Sequence, residues 1–572
     1  MYSGDKVQKR SYNYHHHQPI NVPTAGAQAF PMDGLGRLGH DPPRGPSAGW
    51  WVLTTADAAG TNGLPKHGGA RDSKFLVTHP MTDHCERFLG KALIEKLLYS
   101  CSDLDRIYLL MRSKKGVKAD DRLAQIYNAM AFDRLRNEKP DIFLSKVFIV
   151  AGDVMEPGLG LSEEDRTLLV NRVHIIFHVA ASVRFDDPLP YATKLNLGGT
   201  KEIVDFAKDV RNLSSLVHVS TSYSNTNREV IEEVMYPPHA DWRDTMQVCE
   251  SIDEHSLRVL TPKYLGEIPN TYTFTKQLAE HVVYENKGLL PAVIIRPSIV
   301  ISSVEEPFPG WIENFNGPVG LLVACGKGIM RSLYTDPNLI ADYIPVDVSI
   351  KGIIAAAWLR GTKKLEPTDD IPIYNCCAGN LNNITMFELV DIGKQLAATV
   401  PLNDMIWNVG GSITTSKTLH YIKVLLLHCL PAIFIDTLLF ILGKKPMLFK
   451  IQRRIYIANL ALHYYITKQW TFDNKNFILL RSRIKEQDMK EFYYEIEKVD
   501  KYEYFRKCCI GGRKYLLNEK DEDLPKAKAH YARMVILDKA VQIIFYGYLV
   551  WCIIKTEYIM NGLKFLYDVF LI

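Results

Sequence analysis

The residues in this sequence best suited to chemistry are a tyrosine and a lysine four positions apart, Tyr272 and Lys276. The surrounding segment, Asn270–Glu280, reads as the start of a helix, so both side chains lie on one face. An ammonium beside a phenol lowers the pKa of the phenol, so Tyr272 could give a proton to a carbonyl oxygen near neutral pH. The hydroxyl of Thr221 follows an apolar segment that ends at Val219, and it could lie beside this phenol.

The spacing alone is not specific, because other tyrosines in the chain have a lysine four positions later. These pairs are Tyr2/Lys6, Tyr464/Lys468 and Tyr494/Lys498. Their simplest interpretation is a surface ring with a solvated lysine. The context of Tyr272 and Lys276 differs, because one predicted strand precedes them and another, Ala292–Pro297, follows. We therefore predict that Thr221, Tyr272 and Lys276 form a catalytic set.

The elements that must position this set are short β-branched runs that alternate with helical patterns from Ser73 onwards. The alternation predicts βαβ units and a doubly wound parallel α/β sheet of the Rossmann type. The runs are apolar throughout, as strands covered on both faces are. They are Phe75–Val77, Ile107–Arg112, Val147–Val150, Val173–Val179, Leu216–Ser220 and Ala292–Pro297. Ligands of such sheets bind at the carboxyl ends of the strands.

Changes in composition divide the chain into four predicted regions. Residues 1–72 are rich in Gly and Pro and predict a disordered tail. Residues 73–366 form the Rossmann-type domain, and residues 367–518 form a mainly α-helical C-terminal domain. Residues 519–572 are a tail with a membrane segment at 540–554. In the first region, Gly34-Leu-Gly36-Arg-Leu-Gly39 matches GxGxxG, but no strand precedes it, so we interpret the match as chance.

Two apolar segments suggest contact with a membrane. Ala540–Ile554 is free of charge and aromatic, and it predicts an anchor although it is shorter than the ~20 residues of an untilted span. The cations that precede it would keep the N-terminal bulk in the cytosol. Val424–Leu442 is also apolar, but His428, Pro431 and Asp436 interrupt it. A buried or interfacial helix and a membrane span both remain open there.

The overall composition excludes several classes of protein. With 68 Lys+Arg against 64 Asp+Glu, the net charge of +4 argues against a nucleic-acid partner. The ten cysteines show no CxxC pair, so neither a metal site nor a disulfide framework is expected. Reduced thiols in a cytosol-facing protein are the simplest interpretation.

Several motifs taken together resemble the fatty acyl-CoA reductases, a branch of the extended short-chain dehydrogenases. They are Gly152–Val154, Asn196–Thr200, Val219–Asn225, Asn270–Lys276, Ile295–Val300 and Glu306–Ile312, then Leu442–Pro446, Trp470–Asn474 and Gly511–Tyr515. The likeness runs from about Phe88 to about Leu517.

The resemblance implies an NADPH-dependent reduction of a long-chain acyl-CoA to a primary alcohol, through an aldehyde and with two hydride transfers. Tyr272, assisted by Thr221 and Lys276, would stabilise and protonate the carbonyl oxygen. Long-chain acyl-CoA and membrane lipid would be the partners. The catalytic domain would face the cytosol at the endoplasmic reticulum or peroxisomal membrane.

The resemblance also implies a set of cofactor-binding residues. They are Gly90, Arg112, Asp153, Ala180, Asn196, Tyr272 and Lys276. Arg112 would hold the 2′-phosphate, Asp153 would meet the adenine, and Asn196 would order an active-site water. Without the resemblance, Arg112 would be interpreted as a surface arginine, Asp153 as a turn-forming aspartate and Asn196 as a helix cap.

The first βα turn departs from the family's pattern, Thr-Gly-x-x-Gly-Phe-Leu-Gly. Here nine residues separate Thr78 from Phe88, and Gly90 alone of the glycines remains. The lost glycines add Cβ atoms near the pyrophosphate, and Asp83 and Glu86 add negative charge, so cofactor affinity should fall. A variant transcript or gene-model junction explains this segment better than a rebuilt loop.

Two alternative functions follow from these observations. The first is a non-catalytic acyl-CoA or lipid-binding protein that keeps the fold and has lost the pyrophosphate-binding turn. The second is a sterol or nucleotide-sugar member of the extended dehydrogenases, against which the Trp470–Asn474 helical half argues.

Overall fold

The computed structural model describes residues 84–101, 103–112, 119–315 and 317–570. The predicted tail 1–72, the GxGxxG match at 34–39 and the predicted strand Phe75–Val77 lie outside the described residues. Residues 79–83 of the altered turn lie outside them as well.

The strands of the described residues are short. They are β1 Ile107–Met111, β2 Val147–Ala151, β3 Ile175–His178, β4 Ser215–Val219, β5 Val230–Ile231, β6 Ala292–Pro297, β7 Ile299–Ile301, β8 Ser332–Tyr334, β9 Ile340–Ala341, β10 Tyr343–Pro345, β11 Ile373–Cys376, β12 Ile384–Thr385, β13 Ser412–Thr414 and β14 Thr471–Phe472.

The α-helices of the same residues range from 4 to 32 residues in length. They are α1 His84–Ser100, α2 Ala119–Tyr127, α3 Asp133–Glu138, α4 Ile142–Lys146, α5 Glu163–Arg172, α6 Leu189–Ala192, α7 Gly199–Asp209, α8 Trp242–Ser251, α9 Glu254–Leu265, α10 Thr271–Tyr284, α11 Pro318–Gly326, α12 Val346–Gly361, α13 Met386–Thr399, α14 Lys417–Val424, α15 Leu430–Ile441, α16 Leu448–Ile466, α17 Lys475–Arg481, α18 Met489–Phe492, α19 Lys501–Gly511, α20 Leu524–Lys555 and α21 Glu557–Phe570.

A parallel sheet forms the centre of the fold. Four strands pair in the order β11-β6-β4-β3, and β1 pairs with β2, all in parallel. Parallel neighbours need crossover connections, and helices supply them between these strands. The predicted fold class, a Rossmann-type parallel α/β sheet followed by a helical region, is confirmed.

The sheet is covered on both faces, which explains why its strands are apolar throughout. Val217 and Val293 pack in one hydrophobic core with residues of α1 and α12. Their neighbours Leu216 and Ile294 pack in a second core with residues of α7 and α10. Successive side chains of a strand point to opposite faces, so one strand contributes to both cores.

The sheet does not end at residue 366, where the predicted domain boundary lies. β11 pairs with β6 from Ile373↔Ile294 to Cys376↔Pro297 and so adds a strand from the region assigned to the helical domain. The Trp470–Asn474 motif contributes β14, which pairs with β5 of the N-terminal region. The chain after residue 366 therefore contributes β11 to the central sheet and β14 to a separate pair with β5.

Among the described residues, two continuous helical stretches are long and apolar enough to cross a membrane, by length and composition. They are Lys417–Ile441, which joins α14 and α15, and Asp521–Lys555, which contains α20. The predicted segment Ala540–Ile554 lies in the second half of α20, and its large apolar side chains are exposed. The C-terminal apolar helix is thus suited to anchor the protein in a membrane.

Candidate active site

Helix α10 carries Tyr272 and Lys276 one turn apart on the same face. Its N-cap is Asn270, whose side-chain oxygen accepts a hydrogen bond from the backbone N–H of Thr273 at 3.0 Å. Lys276 is buried, and its Nζ donates to the carbonyl oxygen of Val219 at 2.9 Å. Tyr272 is partly exposed, and its ring stacks on that of Phe185 with centroids 6.0 Å apart.

Thr221 begins a short 3₁₀ turn, Ser222–Asn225, just beyond the carboxyl end of β4. Its hydroxyl oxygen accepts a hydrogen bond from the N–H of Tyr223 at 3.2 Å and lies 3.5 Å from the carbonyl oxygen of Pro297. Lys276 bonds Val219, two positions before Thr221, so the structure brings this lysine to the strand end that carries the hydroxyl.

Glu280 was not predicted, although it lies one turn beyond Lys276 on the same face of α10. Its carboxylate pairs with the guanidinium of Arg296 at 2.7 Å, and both side chains are fully buried. It also accepts hydrogen bonds from the hydroxyls of Ser220 and Ser224. Glu280 therefore ties the segment around Thr221 to α10. The i, i+4, i+8 spacing of Tyr272, Lys276 and Glu280 is the signal that could have identified it.

Two buried histidines lie near the ammonium of Lys276. His178 on β3 and His218 on β4 lie side by side, with ring centroids 5.2 Å apart. Burial, and then the ammonium of Lys276, lowers the pKa of His178 to about 3 and holds the pKa of His218 well below its usual value. Both imidazoles are therefore neutral at physiological pH.

Asn196 lies in a π-helical turn, Thr193–Gly198, between α6 and α7. Its Nδ2 donates to the hydroxyl of Thr275 on α10 at 2.9 Å and to the carbonyl of Ser182. The alternative interpretation of Asn196 as a helix cap is wrong, because the residue is inside a continuous helical stretch. π-turns are frequent at functional sites because they re-aim a side chain.

The remaining predicted cofactor residues lie at or near the carboxyl ends of strands. Arg112 follows β1 and forms an ion pair with Asp153, which follows β2, with 3.4 Å between Nε and Oδ2. Asp153 also accepts a hydrogen bond from the N–H of Met155. Ala180 is buried two residues beyond β3. This is the edge at which parallel sheets bind ligands, and a guanidinium, a carboxylate and an ammonium there suit the phosphate, base and ribose of a dinucleotide.

Gly90 lies inside α1 rather than in a turn. This helix begins at His84, so the last four of the nine residues before Phe88 are helical.

The C-terminal region closes the site with an aromatic wall that the sequence did not predict. Tyr465 on α16 accepts a hydrogen bond from Nδ2 of Asn270 at 2.7 Å. Its ring packs against Phe185 and Tyr223, with centroids 5.1 and 5.4 Å away. Trp470, from a motif of the helical half, packs edge-to-face on Tyr223.

The neighbouring pair Tyr464/Lys468 has a different arrangement. The phenol of Tyr464 donates to the carbonyl of Thr226, while the ammonium of Lys468 lies 4.2 Å from the ring centroid of Tyr464. This cation–π contact is structural, which agrees with the simple interpretation of the pair.

An apolar cavity of about 110 Å³ lies behind the aromatic wall. Tyr223 and Tyr465 line it on the side of α10, and its deeper lining includes Met330, Leu333, Leu339, Met386, Ala458 and Leu462. Engineered apolar cavities of about 150 Å³ hold benzene, so this one suits a hydrocarbon fragment.

Comparisons with known proteins agree with the sequence motifs. Two family profiles, both described as male sterility protein, match residues 88–353 and residues 427–519. The chain is 37% identical over 450 residues to fatty acyl-CoA reductase 1 of Xenopus laevis, covering 78% of this chain and 86% of the relative. It is 35% identical over 466 residues to fatty acyl-CoA reductase wat of Drosophila melanogaster, covering 82% and 89%.

Solved structures support the fold. The terminal R domain of the myxalamid PKS-NRPS biosynthetic pathway is similar with a TM-score of 0.50 and 17% identity, covering 76% of this chain and 89% of that chain. The reductase domain of a nonribosomal peptide synthetase from Mycobacterium tuberculosis is similar with a TM-score of 0.50 and 18% identity, covering 75% and 90%.

Proposed function

The chain belongs to the fatty acyl-CoA reductase family, and from this premise we propose that it reduces a long-chain acyl-CoA to the primary fatty alcohol with NADPH. The observation that supports the proposal is the hydrogen bond from Nζ of Lys276 on α10 to the carbonyl oxygen of Val219 at the end of β4, two residues before Thr221.

The reaction balances over two rounds. In the first, the thioester carbon gains a hydride and the oxygen gains a proton, and the C–S bond of the hemithioacetal then breaks to release the CoA thiol and the aldehyde. In the second, the aldehyde gains a hydride and a proton and becomes the alcohol. A bound nicotinamide cofactor would supply the hydride each time, so two are oxidised for each alcohol formed.

The residues of the chain would supply the proton and the charge. Tyr272 would donate its phenolic proton to the carbonyl oxygen, and the hydroxyl of Thr221 would hydrogen-bond the same oxygen. The ammonium of Lys276 would favour the phenolate left behind, since an opposite charge nearby stabilises the ionised form. Neutral His178 and His218 below it would add no competing positive charge.

Other residues would select the cofactor and the acyl chain. Arg112 would contact the 2′-phosphate that distinguishes NADPH from NADH, with Asp153 orienting its guanidinium and meeting the adenine. Asn196, bonded to Thr275, would order a water beside α10. The cavity behind Tyr465 would take the far end of the acyl chain.

Replacement of the proposed acid tests the chemistry. Tyr272→Phe keeps the ring and removes the proton donor, so the rate of alcohol formation from hexadecanoyl-CoA should fall by about 10²- to 10⁴-fold. Tyr284→Phe, on the same helix but outside the site, should leave the rate unchanged. The measurement is product analysis with NADPH. Undiminished alcohol formation by the Tyr272→Phe variant would exclude Tyr272 as the acid.

The altered first turn favours one competing function, a non-catalytic acyl-CoA or lipid-binding protein. Calorimetric titration with NADPH distinguishes the reductase from the non-catalytic binding protein. Absence of binding at millimolar cofactor would reject the reductase function for this chain. Replacing Thr78–Phe88 with a glycine-rich turn of the family's length should then restore cofactor binding and alcohol formation.

We further infer that the protein acts at a membrane with its catalytic region in the cytosol. The apolar half of α20 supports anchoring, and the family suggests the endoplasmic reticulum or the peroxisome. Imaging of the full-length chain against markers of both organelles tests this placement, and a chain found free in the cytosol would contradict it.

A further inference from the structure

The stretch Leu425–Leu442 carries an apolar surface that the proposed reaction does not use. Ten of its large apolar side chains are 42–72% exposed, and Phe434, Phe440 and Ile441 are the most exposed of α15, at 66–72%. Contiguous apolar surface of this kind is rare on soluble monomers and indicates a binding face.

The polar residues that interrupt this stretch face the protein. His428 is buried and accepts a hydrogen bond from the backbone N–H of Arg331 at 2.9 Å. Asp436 accepts hydrogen bonds from the backbone N–H groups of residues 447–449, at 2.8 to 2.9 Å, and so caps the start of α16. The carboxylate and the imidazole are thus satisfied on the inner side of the stretch. Its exposed side is apolar except for Thr437, whose hydroxyl donates to the carbonyl oxygen of Ile433.

The hairpin formed by α15 and α16 is attached to the body of the protein at both ends. Before it, His420 on α14 hydrogen-bonds the hydroxyl of Ser332 on β8. After the tip, Gln452 on α16 donates to the carbonyl of Ile329. If α15 crossed a bilayer, α16 would have to cross back with Lys450 and two arginines in hydrocarbon. Cations at the centre of a membrane are strongly disfavoured, so this arrangement is excluded.

One residue connects this surface to the C-terminal anchor. Arg331 donates its backbone N–H to His428 at the root of α15, and its guanidinium lies 3.6 Å from the carboxylate of Asp538. Asp538 is two residues before the apolar segment 540–554 of α20, and it is also bonded by Trp407. Both apolar elements therefore leave the body at the same place, on one side of the molecule.

We propose that α15 lies in the plane of the membrane interface as a second lipid contact beside α20. Its outer face enters the acyl region of one leaflet. The exposed Lys444 and Lys445 at the tip of the hairpin bind anionic headgroups. The occupant of this face is a bilayer that contains anionic lipid.

Photo-crosslinking in the full-length chain tests the partner. Benzoylphenylalanine replaces Phe434 on α15 or, as a control, Leu289, which is 71% exposed in the loop before β6. The protein is inserted into preformed vesicles of phosphatidylcholine and phosphatidylserine. Lipid adducts should form at position 434 and not at 289. Absence of adducts at 434, or crosslinks there to a second copy of the chain, would overturn the proposal.

Amine labelling in the same vesicles tests the in-plane orientation. A membrane-impermeant reagent added outside should label Lys444 and Lys445 to the same extent as Lys208 on α7, because all three lie on one side of the bilayer. Labelling of Lys444 and Lys445 that requires permeabilisation, while Lys208 reacts without it, would mean that the helix spans the membrane and would refute the in-plane arrangement.

Discussion

At the scale of single residues, the carboxylate of Glu280 holds the strand end of Thr221 against the helix of Lys276. It does so through Ser220, Ser224 and the buried guanidinium of Arg296. A cation without its partner in a protein interior is costly, because desolvation is no longer offset by the ion pair.

Glu280→Gln should therefore lower the free energy of unfolding by about 3 kcal/mol. It should also lower kcat more than it changes KM for acyl-CoA, since the loss is in positioning rather than in binding. Glu285→Gln is the matched control, because this carboxylate, one residue beyond the end of α10, forms an exposed pair with Arg243 on α8 and should matter little. Urea unfolding and steady-state kinetics measure both effects, and equal behaviour of the two variants would contradict the role of Glu280.

The neutral histidines predict a loss of stability in acid. The folded pKa of His178 is about 3 against 6.5 for an exposed histidine, so between these values the unfolded chain binds a proton that the folded chain does not. Stability should fall as the pH drops below 6.5, by about 2 kcal/mol at pH 5 from this residue.

Removing the imidazole should remove that part of the pH dependence. In His178→Gln, the difference in unfolding free energy between pH 7 and pH 5 should shrink by about 2 kcal/mol. His174→Gln changes an exposed histidine just before β3. In this variant, the difference in unfolding free energy between pH 7 and pH 5 should equal that of the parent chain. Urea titrations at both pH values decide this, and an unchanged difference in His178→Gln would refute the assignment.

At the scale of elements, the sequence predicts the strands well because they are apolar on both faces. The strand Ala292–Pro297 has the same bounds in the prediction and in the structure. The predicted strand Ile107–Arg112 is one residue longer than the observed strand, which ends at Met111. β11 escapes prediction because its four residues carry no periodic signal. The π-turn at Thr193–Gly198 was not predicted either.

The candidate site is predictable where neighbours in sequence are neighbours in space. The pairing of Tyr272 with Lys276 follows from helical spacing together with the predicted strands that precede and follow it. The contact of Tyr465 with Asn270 joins residues 195 positions apart, and no local pattern encodes it. The motif glycines Gly310 and Gly511 are explained only by the fold, because a Cβ on Gly511 would lie 1.7 Å from the carbonyl oxygen of Gly310.

Helix α16 should set the length of the acyl chain, because it lines the cavity behind Tyr465. Ala458→Phe places a benzyl group in a cavity of about 110 Å³ and should fill it. The kcat/KM for hexadecanoyl-CoA should fall about tenfold, which corresponds to about 1.4 kcal/mol, while that for decanoyl-CoA should stay unchanged. Equal losses for both substrates would show that the cavity is not the acyl site.

At the scale of the whole molecule, the N- and C-terminal regions interlock rather than pack as separate domains. β14 extends β5, and Glu233 accepts backbone hydrogen bonds from Asn375 after the boundary and from Phe477 on α17. Farther away, Lys327 at the end of α11 pairs with Glu519 in a buried contact. Strand pairing, hydrogen bonds and a buried ion pair thus join elements of the N-terminal region to elements of the C-terminal region.

Interlocking predicts that both halves unfold together. Glu519 lies between the buried cations of Lys327 and Arg513, at 2.9 and 3.1 Å, so Glu519→Gln should destabilise the protein by about 3–5 kcal/mol. Hydrogen exchange in urea should then show β4 and α19 losing protection at the same, lower denaturant concentration. Glu254→Gln breaks the exposed pair with Arg258. It should leave unchanged the denaturant concentrations at which β4 and α19 lose protection. If α19 lost protection first while β4 kept that of the parent chain, the two halves would be independent units and the coupling inferred from their shared sheet would be wrong.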